Sequence, residues 1–282
     1  ISFLNFQYNL FNVVSEERFN HFQVESEQFV LDGYLNYTLN GGDLELGHFN
    51  RPSIDMFSGG QDYRPREWYV DQFIEGEFWK YKSNFGLQLK IFSFFNGNLY
   101  LVQSLASILL SIVLGIIFLF LERIHSFKFA LIFLACIIFS PWITPIARNS
   151  YFFIFSYFLP FLISLYYSDK LNKSRLNLVI MLSVLYFIFL FKSLLGYDYV
   201  SVIVITSLIP ITHYYLKNSF SKILLFKHIS YICFVSVLSF STALLMHYNS
   251  LEEEEDPLRW IYLTAEKRLS SSNPEKTAYD TC

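Results

Sequence analysis

Residues 99–121 read LYLVQSLASILLSIVLGIIFLFL and contain no charged side chain. At a rise of about 1.5 Å per residue, a helix of this length covers the roughly 30 Å hydrocarbon core of a bilayer. In lipid, a helix satisfies every backbone hydrogen-bonding group within one such segment. This stretch therefore predicts a membrane-spanning helix.

Five more apolar segments follow, and they cover residues 127–146, 150–167, 176–195, 199–216 and 223–247. With residues 99–121 counted as the first segment, Pro160 and Pro210 interrupt the third and fifth. A kink or a partly re-entrant path is the alternative to a straight helix there. Hydrophobic residues make up 53% of the 282 residues and charged residues only 16%, which excludes an ordinary soluble domain. We predict an all-α integral membrane protein with six transmembrane helices after an outer-face N-terminal region.

The charged residues divide the chain into three parts. Residues 1–97 carry 13 acidic and 7 basic side chains, residues 98–248 carry 3 and 10, and residues 249–282 carry 8 and 4. An unpaired charge at the bilayer centre costs about 3 kcal/mol, so the middle part is the predicted membrane domain and both acidic ends are aqueous. The formal net charge of -3 argues against a nucleic-acid partner.

Basic residues also predict the orientation in the membrane. Eight of them lie in or beside the loops after the first, third and fifth segments, whereas only Arg148 and Lys192 lie in the alternate loops. By the positive-inside rule the first set of loops is cytoplasmic, and residues 1–97 and 249–282 are extracytoplasmic. The chain opens on an apolar stretch without the basic region of a signal peptide, so we expect a fragment that lacks an upstream hydrophobic segment and is truncated at its C-terminal end.

Two further helices are predicted at the membrane surface. Residues 75–95 form a helical stretch that leads into the first span. After the acidic run at residues 252–256, residues 258–263 have the pattern of an amphipathic helix. The cysteines and histidines are too scattered to predict a metal-ligand set.

The outer region contains carboxylates that are candidates for chemistry. Asp32 precedes Gly33, and a carboxylate held at a membrane surface can act as a general base. Asp before Gly is also a common turn signal, so an Asx-turn or a helix cap is the competing interpretation. Asp43 and Glu45 are spaced to share a divalent metal in an extended segment, or they belong to a solvated turn.

Arginines are the second class of candidates. Residues 62–68, DYRPREW, place Arg66 among aromatic side chains, where it binds an anionic or sugar ligand or forms surface ion pairs with the neighbouring acids. Arg148 and Asn149 follow Pro141 and Pro145 in a short outer loop, against the positive-inside trend. The guanidinium suits the phosphate of a lipid carrier; alternatively, it snorkels to lipid headgroups or caps the preceding helix.

Lys192 and Asp198 lie six residues apart between the fourth and fifth segments. They either form a second polar wall of a cleft opposite Arg148 or pair locally to close a turn at Gly196.

A large first outer loop with an early Asp is followed by spans whose polar residues return to the outer face. This arrangement resembles the polytopic glycosyltransferases of the type C fold. Four stretches also look like those of uncharacterised bacterial membrane proteins associated with surface polysaccharide synthesis: YKSNFGLQ at residues 81–88, SPW at 140–142 with ARN at 147–149, GYDY at 196–199 and AEKR at 265–268. The likeness spans most of the chain. It implies a type C-like fold in the bacterial plasma membrane and the transfer of a sugar from a polyprenyl-phosphate carrier.

On this resemblance Asp32 is the base that deprotonates the acceptor hydroxyl, and Arg148 stabilises the leaving lipid phosphate. The family pattern has two acidic residues close together, and Asp32 lacks the second. Further substrate-binding candidates are Asn149, Arg66, Lys192 and Asp198. The alternative functions are a transporter or flippase for a lipid-linked saccharide and a non-catalytic envelope assembly protein.

Overall fold

The computed structural model describes residues 1–41, 43–49, 77–171 and 173–251, together with Arg259 and Tyr262. The candidate Arg66 and the stretches predicted at residues 62–68, 252–256 and 265–268 lie outside the described residues, as does most of the helix predicted at 258–263. The helices within these ranges are α1 (Ser2–Tyr8), α2 (Glu16–His21), α3 (Val24–Asn40), α4 (Leu87–Phe94), α5 (Leu99–Ile124), α6 (Phe127–Ile138), α7 (Ile143–Ile146), α8 (Phe155–Tyr167), α9 (Arg175–Leu195), α10 (Val200–Lys217) and α11 (Lys222–Asn249). The strands are β1 (Gly47–Phe49) and β2 (Phe78–Lys80).

Four of the described helices, α5, α9, α10 and α11, are long and apolar enough to cross a membrane. Their most apolar windows have a mean hydropathy between 1.3 and 2.8. Asn98 and Ser174 cap α5 and α9, because each side chain accepts a hydrogen bond from a backbone amide of the first turn. The prediction of a mostly helical membrane protein is confirmed in this form, and α10 continues through Pro210.

The second and third predicted spans are shorter in the structure. Helix α6 ends at Ile138 and α8 begins at Phe155, so their 12 and 13 residues cover only about 18–20 Å each. Pro141 has no amide hydrogen, and the Ser140 hydroxyl accepts hydrogen bonds from the next free amides, which ends the helix early. Six spans are therefore not confirmed: four full-length helices accompany two half-length ones.

The 139–154 segment joins the two half-length helices and contains only the short helix α7. Non-helical backbone at this depth needs partners from protein, since lipid offers none. Helix α1 supplies one, because the Asn5 side chain donates to the Ile138 carbonyl at 2.8 Å. Phe6 packs in a buried cluster with Leu110, about 16 Å along α5 from its start. Helix α1 thus packs along the side of α5 and does not merely cover the end of the bundle.

Strands β1 and β2 pair antiparallel, with Gly47 opposite Lys80 and Phe49 opposite Phe78. The prediction of one helix over residues 75–95 is therefore wrong in its first half, because the partner strand lies some 30 residues earlier in the chain. The helical part begins at Leu87, after Gly86 adopts a left-handed conformation with φ 82°.

Helix α3 runs unbroken through Asp32 and Gly33, so the turn or helix-cap interpretation of these two residues is wrong. Gly33 serves a close approach instead, because a Cβ at this position would overlap the Glu45 carbonyl oxygen of the segment that leads into β1. This packing holds β1 against α3.

Helix α8 is central, since it packs against α5, α9 and α10. Elements α1–α4, β1 and β2 gather at one end of the bundle, next to the start of α5 and the end of α9. We name this the capped end. The opposite end, formed by the loops after α5, α8 and α10, is named the loop end.

Candidate functional site

Helix α3 brings two carboxylates into the capped end. Glu27 and Asp32 are both fully buried, and they lie about 7.5 Å apart along the helix axis. Burying a carboxylate is costly unless hydrogen-bond donors surround it. The donors found around each one define the site.

Glu27 connects three parts of the chain. Its Oε1 atom accepts a hydrogen bond of 2.8 Å from the Ser150 backbone amide. The Gln103 amide nitrogen lies 3.2 Å from both carboxylate oxygens. The carboxylate therefore joins α3 to α5 and to the 139–154 segment. The sequence reasoning missed Glu27, and the available signal was Gln103, a polar residue in the second turn of an otherwise apolar span.

Asp32, the predicted catalytic residue, lies beneath β1. Its Oδ2 atom accepts hydrogen bonds of 3.3 Å from the Gln28 side chain and from the Phe49 backbone amide. The residue is thus placed by a helix and a strand at the same end as Glu27.

Arg148 faces the protein rather than the lipid. Its Nη1 atom donates to the Gln7 carbonyl at 3.3 Å, and its Nη2 atom donates to the Phe19 carbonyl at 3.3 Å and to Asn20 Oδ1 at 2.9 Å. The guanidinium carbon lies 4.0 Å from the centre of the Phe19 ring. These contacts tie the 139–154 segment to α1 and α2, and they disfavour the interpretation of a snorkelling side chain.

Asn149 is fully buried and crosses to α3. Its side-chain amide donates to the Gln23 carbonyl at 3.1 Å, and its Oδ1 atom accepts from the Tyr151 amide at 2.9 Å. Gln23 and Phe153 have positive φ values of 57° and 46°, which are unfavourable for side chains other than glycine. Such strain concentrates at functional sites.

Three of the stretches that carry the sequence resemblance meet here. Asn84, within residues 81–88, donates to the hydroxyl of Tyr151, which follows residues 147–149. The same Asn84 side chain packs against Gly196, where a Cβ would lie 3.5 Å from its Nδ2 atom. Stretches that are more than a hundred residues apart in the chain are therefore neighbours at the capped end.

Lys192 is buried at the end of α9. Its Nζ atom donates to the Gly196 carbonyl at 2.9 Å and lies 4.8 Å from the centre of the Tyr157 ring. Lys192 thus holds the turn at Gly196 through a backbone carbonyl. The predicted local ion pair with Asp198 and the predicted polar wall of a cleft both stay predictions. Asp198 follows in the next loop and is half-buried, and the neighbouring Tyr197 hydroxyl lies 3.0 Å from Nδ1 of His247.

Asp43 and Glu45 line a small polar pocket of about 180 Å³ at the capped end, together with Lys80, Lys82 and Lys90. The Glu45 carboxylate forms an ion pair with Lys80, so a divalent metal would have to displace a lysine there. Within the described ranges no group of three or more His, Cys, Asp or Glu side chains is arranged to hold a metal ion. The metal interpretation of this pair is therefore not favoured.

Comparison of the chain with protein-family models, with curated proteins and with solved structures gave no match. The function is consequently argued from the site itself.

Proposed function

We propose that the protein is an integral membrane glycosyltransferase that moves a sugar from a polyprenyl-phosphate carrier to an acceptor at the capped end. The observation that carries the proposal is the hydrogen bond between Glu27 and Ser150. It holds the carboxylate-bearing helix α3 and the segment with Arg148 and Asn149 in one connected unit. In a non-catalytic assembly protein we expect such polar residues to be scattered over the surface.

Asp32 has the role of general base in this proposal. Its carboxylate would accept the proton of the acceptor hydroxyl as that oxygen attacks the sugar. Because Asp32 lies beneath β1, the reaction requires the movement of residues 43–49 when the acceptor enters.

Arg148 binds the phosphate that leaves with the lipid carrier. Among the partners of its guanidinium are two backbone carbonyls and one amide oxygen. A phosphate would accept charge-assisted hydrogen bonds from the same planar guanidinium, which are roughly twice as strong as hydrogen bonds between neutral groups. Asn149 keeps the segment in place, and Lys192 keeps the end of α9 in place.

The capped end faces the outside of a bacterial plasma membrane in this proposal. The support is the excess of lysine and arginine in the loops after α5, α8 and α10, which is typical of cytoplasmic loops. A sugar carried on a polyprenyl phosphate at the outer leaflet then meets the side of the bundle where α3 and the 139–154 segment lie.

A second candidate is transport of a lipid-linked saccharide across the membrane. The half-length helices α6 and α8, joined by an irregular segment, favour it, because discontinuous helices form the substrate sites of many transporters.

The test compares two arginines of the same region in proteoliposomes. The probes are radiolabelled polyprenyl-phosphate hexoses, and a bacterial membrane fraction serves as the acceptor. Arg148→Ala should lower sugar transfer by about 10²–10³-fold, as the loss of one group that stabilises a transition-state charge does. Arg18→Ala is the matched control, since Arg18 stacks on Trp142 nearby without contacting the 148–150 backbone, and it should keep its activity.

Full transfer activity in Arg148→Ala would remove the glycosyltransferase proposal. Movement of the labelled lipid between leaflets by the wild-type protein, with no sugar transfer to the acceptor, would instead support the transport candidate.

A further inference from the structure

A cavity of about 920 Å³ lies at the loop end, on the opposite side of the bundle from Glu27 and Arg148. Helices α5, α6, α8 and α10 enclose it. Its inner wall is apolar and consists of side chains from all four helices, namely Leu121, Phe129, Phe133, Phe161, Leu165 and Ile209. Such a surface suits a hydrocarbon chain.

The rim of the cavity is basic. Arg123, Lys170 and Lys217 contribute three cations, and His125 and His213 lie among them. The one acidic residue of the rim, Asp169, is already paired with Lys173 at 3.4 Å. Within residues 77–171 and 173–251, no carboxylate lies at ion-pair distance from the head groups of the three cations.

Two local contacts keep the rim in shape. The Lys217 ammonium donates to the Ile124 carbonyl at 3.2 Å, and the Lys170 ammonium lies 3.2 Å from the centre of the Tyr166 ring. Both partners are electrically neutral, so the positive charge of the rim is not cancelled. The centres of the His125 and His213 rings lie 4.8 Å apart, so the two imidazoles add further hydrogen-bonding nitrogen atoms to the rim.

We propose that this cavity binds an acidic phospholipid of the bilayer, with the lipid phosphate at Arg123 and Lys217 and one acyl chain between α6, α8 and α10. Charge complementarity selects the occupant. A zwitterionic lipid such as phosphatidylcholine also has a phosphate, but the basic rim repels its choline cation, whereas an acidic phospholipid keeps a net negative charge. A small soluble anion gains nothing from the apolar wall. The site does not depend on the proposed transferase activity, because it shares no residue with the capped end.

Native mass spectrometry tests the proposal on the whole chain, released from bilayer discs that contain equal amounts of phosphatidylglycerol and phosphatidylcholine. We expect the wild-type protein to retain phosphatidylglycerol in preference to phosphatidylcholine. In the double variant Arg123→Gln/Lys217→Gln, the ratio of retained phosphatidylglycerol to phosphatidylcholine should decrease about tenfold. The loss of a charge-assisted hydrogen bond of about 1.4 kcal/mol changes an equilibrium constant by that factor.

The matched control is Lys128→Gln/Lys222→Gln, which removes two charges from the same end outside the cavity lining and should keep the preference. A second variant, Ile209→Trp, narrows the apolar part of the cavity without changing its charge. It should lower the amount of retained phosphatidylglycerol while leaving the melting temperature within a few degrees of the wild-type value.

Four results would overturn the proposal. Equal retention of the two lipids by the wild-type protein excludes a charge-selective site. A preference that survives Arg123→Gln/Lys217→Gln places the lipid elsewhere. Displacement of the lipid by millimolar inorganic phosphate, or retention of added polyprenyl phosphate with no retention of phosphatidylglycerol, identifies a different ligand for this cavity.

Discussion

The Glu27 carboxylate accepts a hydrogen bond of 2.8 Å from the Ser150 backbone amide, across 123 positions of the chain. This bond fastens α3 over the 139–154 segment, where the two half-length helices leave backbone groups without helical partners. Gln103 approaches the same carboxylate from α5. Glu27 thus joins α3, α5 and the 139–154 segment at the capped end.

Replacing this acid should loosen the capped end. In Glu27→Gln one oxygen can still accept from the Ser150 amide, but an amide nitrogen replaces the other oxygen and faces the Gln103 amide nitrogen, and the negative charge is lost. We expect a loss of about 1.5–3 kcal/mol of stability, the range for hydrogen bonds to charged groups. Thermal unfolding in detergent measures it, and Glu17→Gln on the exposed face of α2 is the control with a change below about 0.5 kcal/mol. Equal melting temperatures for the two variants would contradict the role of Glu27.

Alanine substitutions at two helical glycines should change the stability of the protein in opposite directions. Gly33→Ala gains helix propensity, but its Cβ overlaps the Glu45 carbonyl, so we expect a net loss of about 1–3 kcal/mol. Gly115→Ala in α5 meets open space within 4 Å and should be neutral or gain up to about 1 kcal/mol. Chemical denaturation of both variants measures the difference, and a stable Gly33→Ala protein would show that β1 does not pack on α3.

The loop end should become less stable in acid because of His125. Slight desolvation lowers the pKa of the exposed His125 ring below its ordinary value, and the positive charges of His213 and Lys217 lower it further. As the pH falls through about 6.5, the unfolded chain takes up a proton before the folded protein does, so the stability decreases. His125→Gln should therefore flatten the pH dependence of the melting temperature between pH 7.5 and 5. An unchanged slope would show that His125 titrates alike in both states.

The orientation can be tested with single cysteines in a background in which Cys136, Cys233 and Cys282 are replaced by serine. Thr38→Cys lies on the exposed face of α3, and Ser221→Cys lies exposed before α11. An impermeant maleimide should label the first in intact spheroplasts and the second only after permeabilisation. The reverse pattern would place the loop end outside and would remove the outer-leaflet proposal.

The long apolar runs were sufficient to predict α5, α9, α10 and α11, because hydrophobicity and length alone decide those helices. The early end of α6 was not predicted. Pro141 was visible in the sequence, and Ser140 beside it accepts hydrogen bonds from the next free amides. The Ile138 carbonyl at the helix end accepts from the Thr144 hydroxyl and, from 133 positions away, from the Asn5 side chain. No local pattern contains the contact with Asn5.

The candidate site was predicted in part. Arg148 and Asn149 stand out in the sequence as polar residues between apolar segments, and the structure places both in contact with the N-terminal helices. Glu27 looks like the exposed Glu16 and Glu17 in the sequence, since only tertiary packing buries it. The strand pairing that covers Asp32 is equally non-local. The roles of Asp32 and Arg148 in catalysis stay predictions.

The measurement that tests the central claim most directly is the rate of sugar transfer from polyprenyl-phosphate hexoses. It compares the Asp32→Asn variant with the Asp43→Asn variant as its control. The asparagine at position 32 keeps the shape of the side chain but cannot take up the acceptor proton. We predict a decrease of about 10²–10⁴-fold in turnover for Asp32→Asn, assayed well below the melting temperature of the variant and with unchanged donor binding, and normal turnover for Asp43→Asn. A wild-type rate in Asp32→Asn would contradict the proposal that this buried carboxylate is the base of a glycosyl transfer.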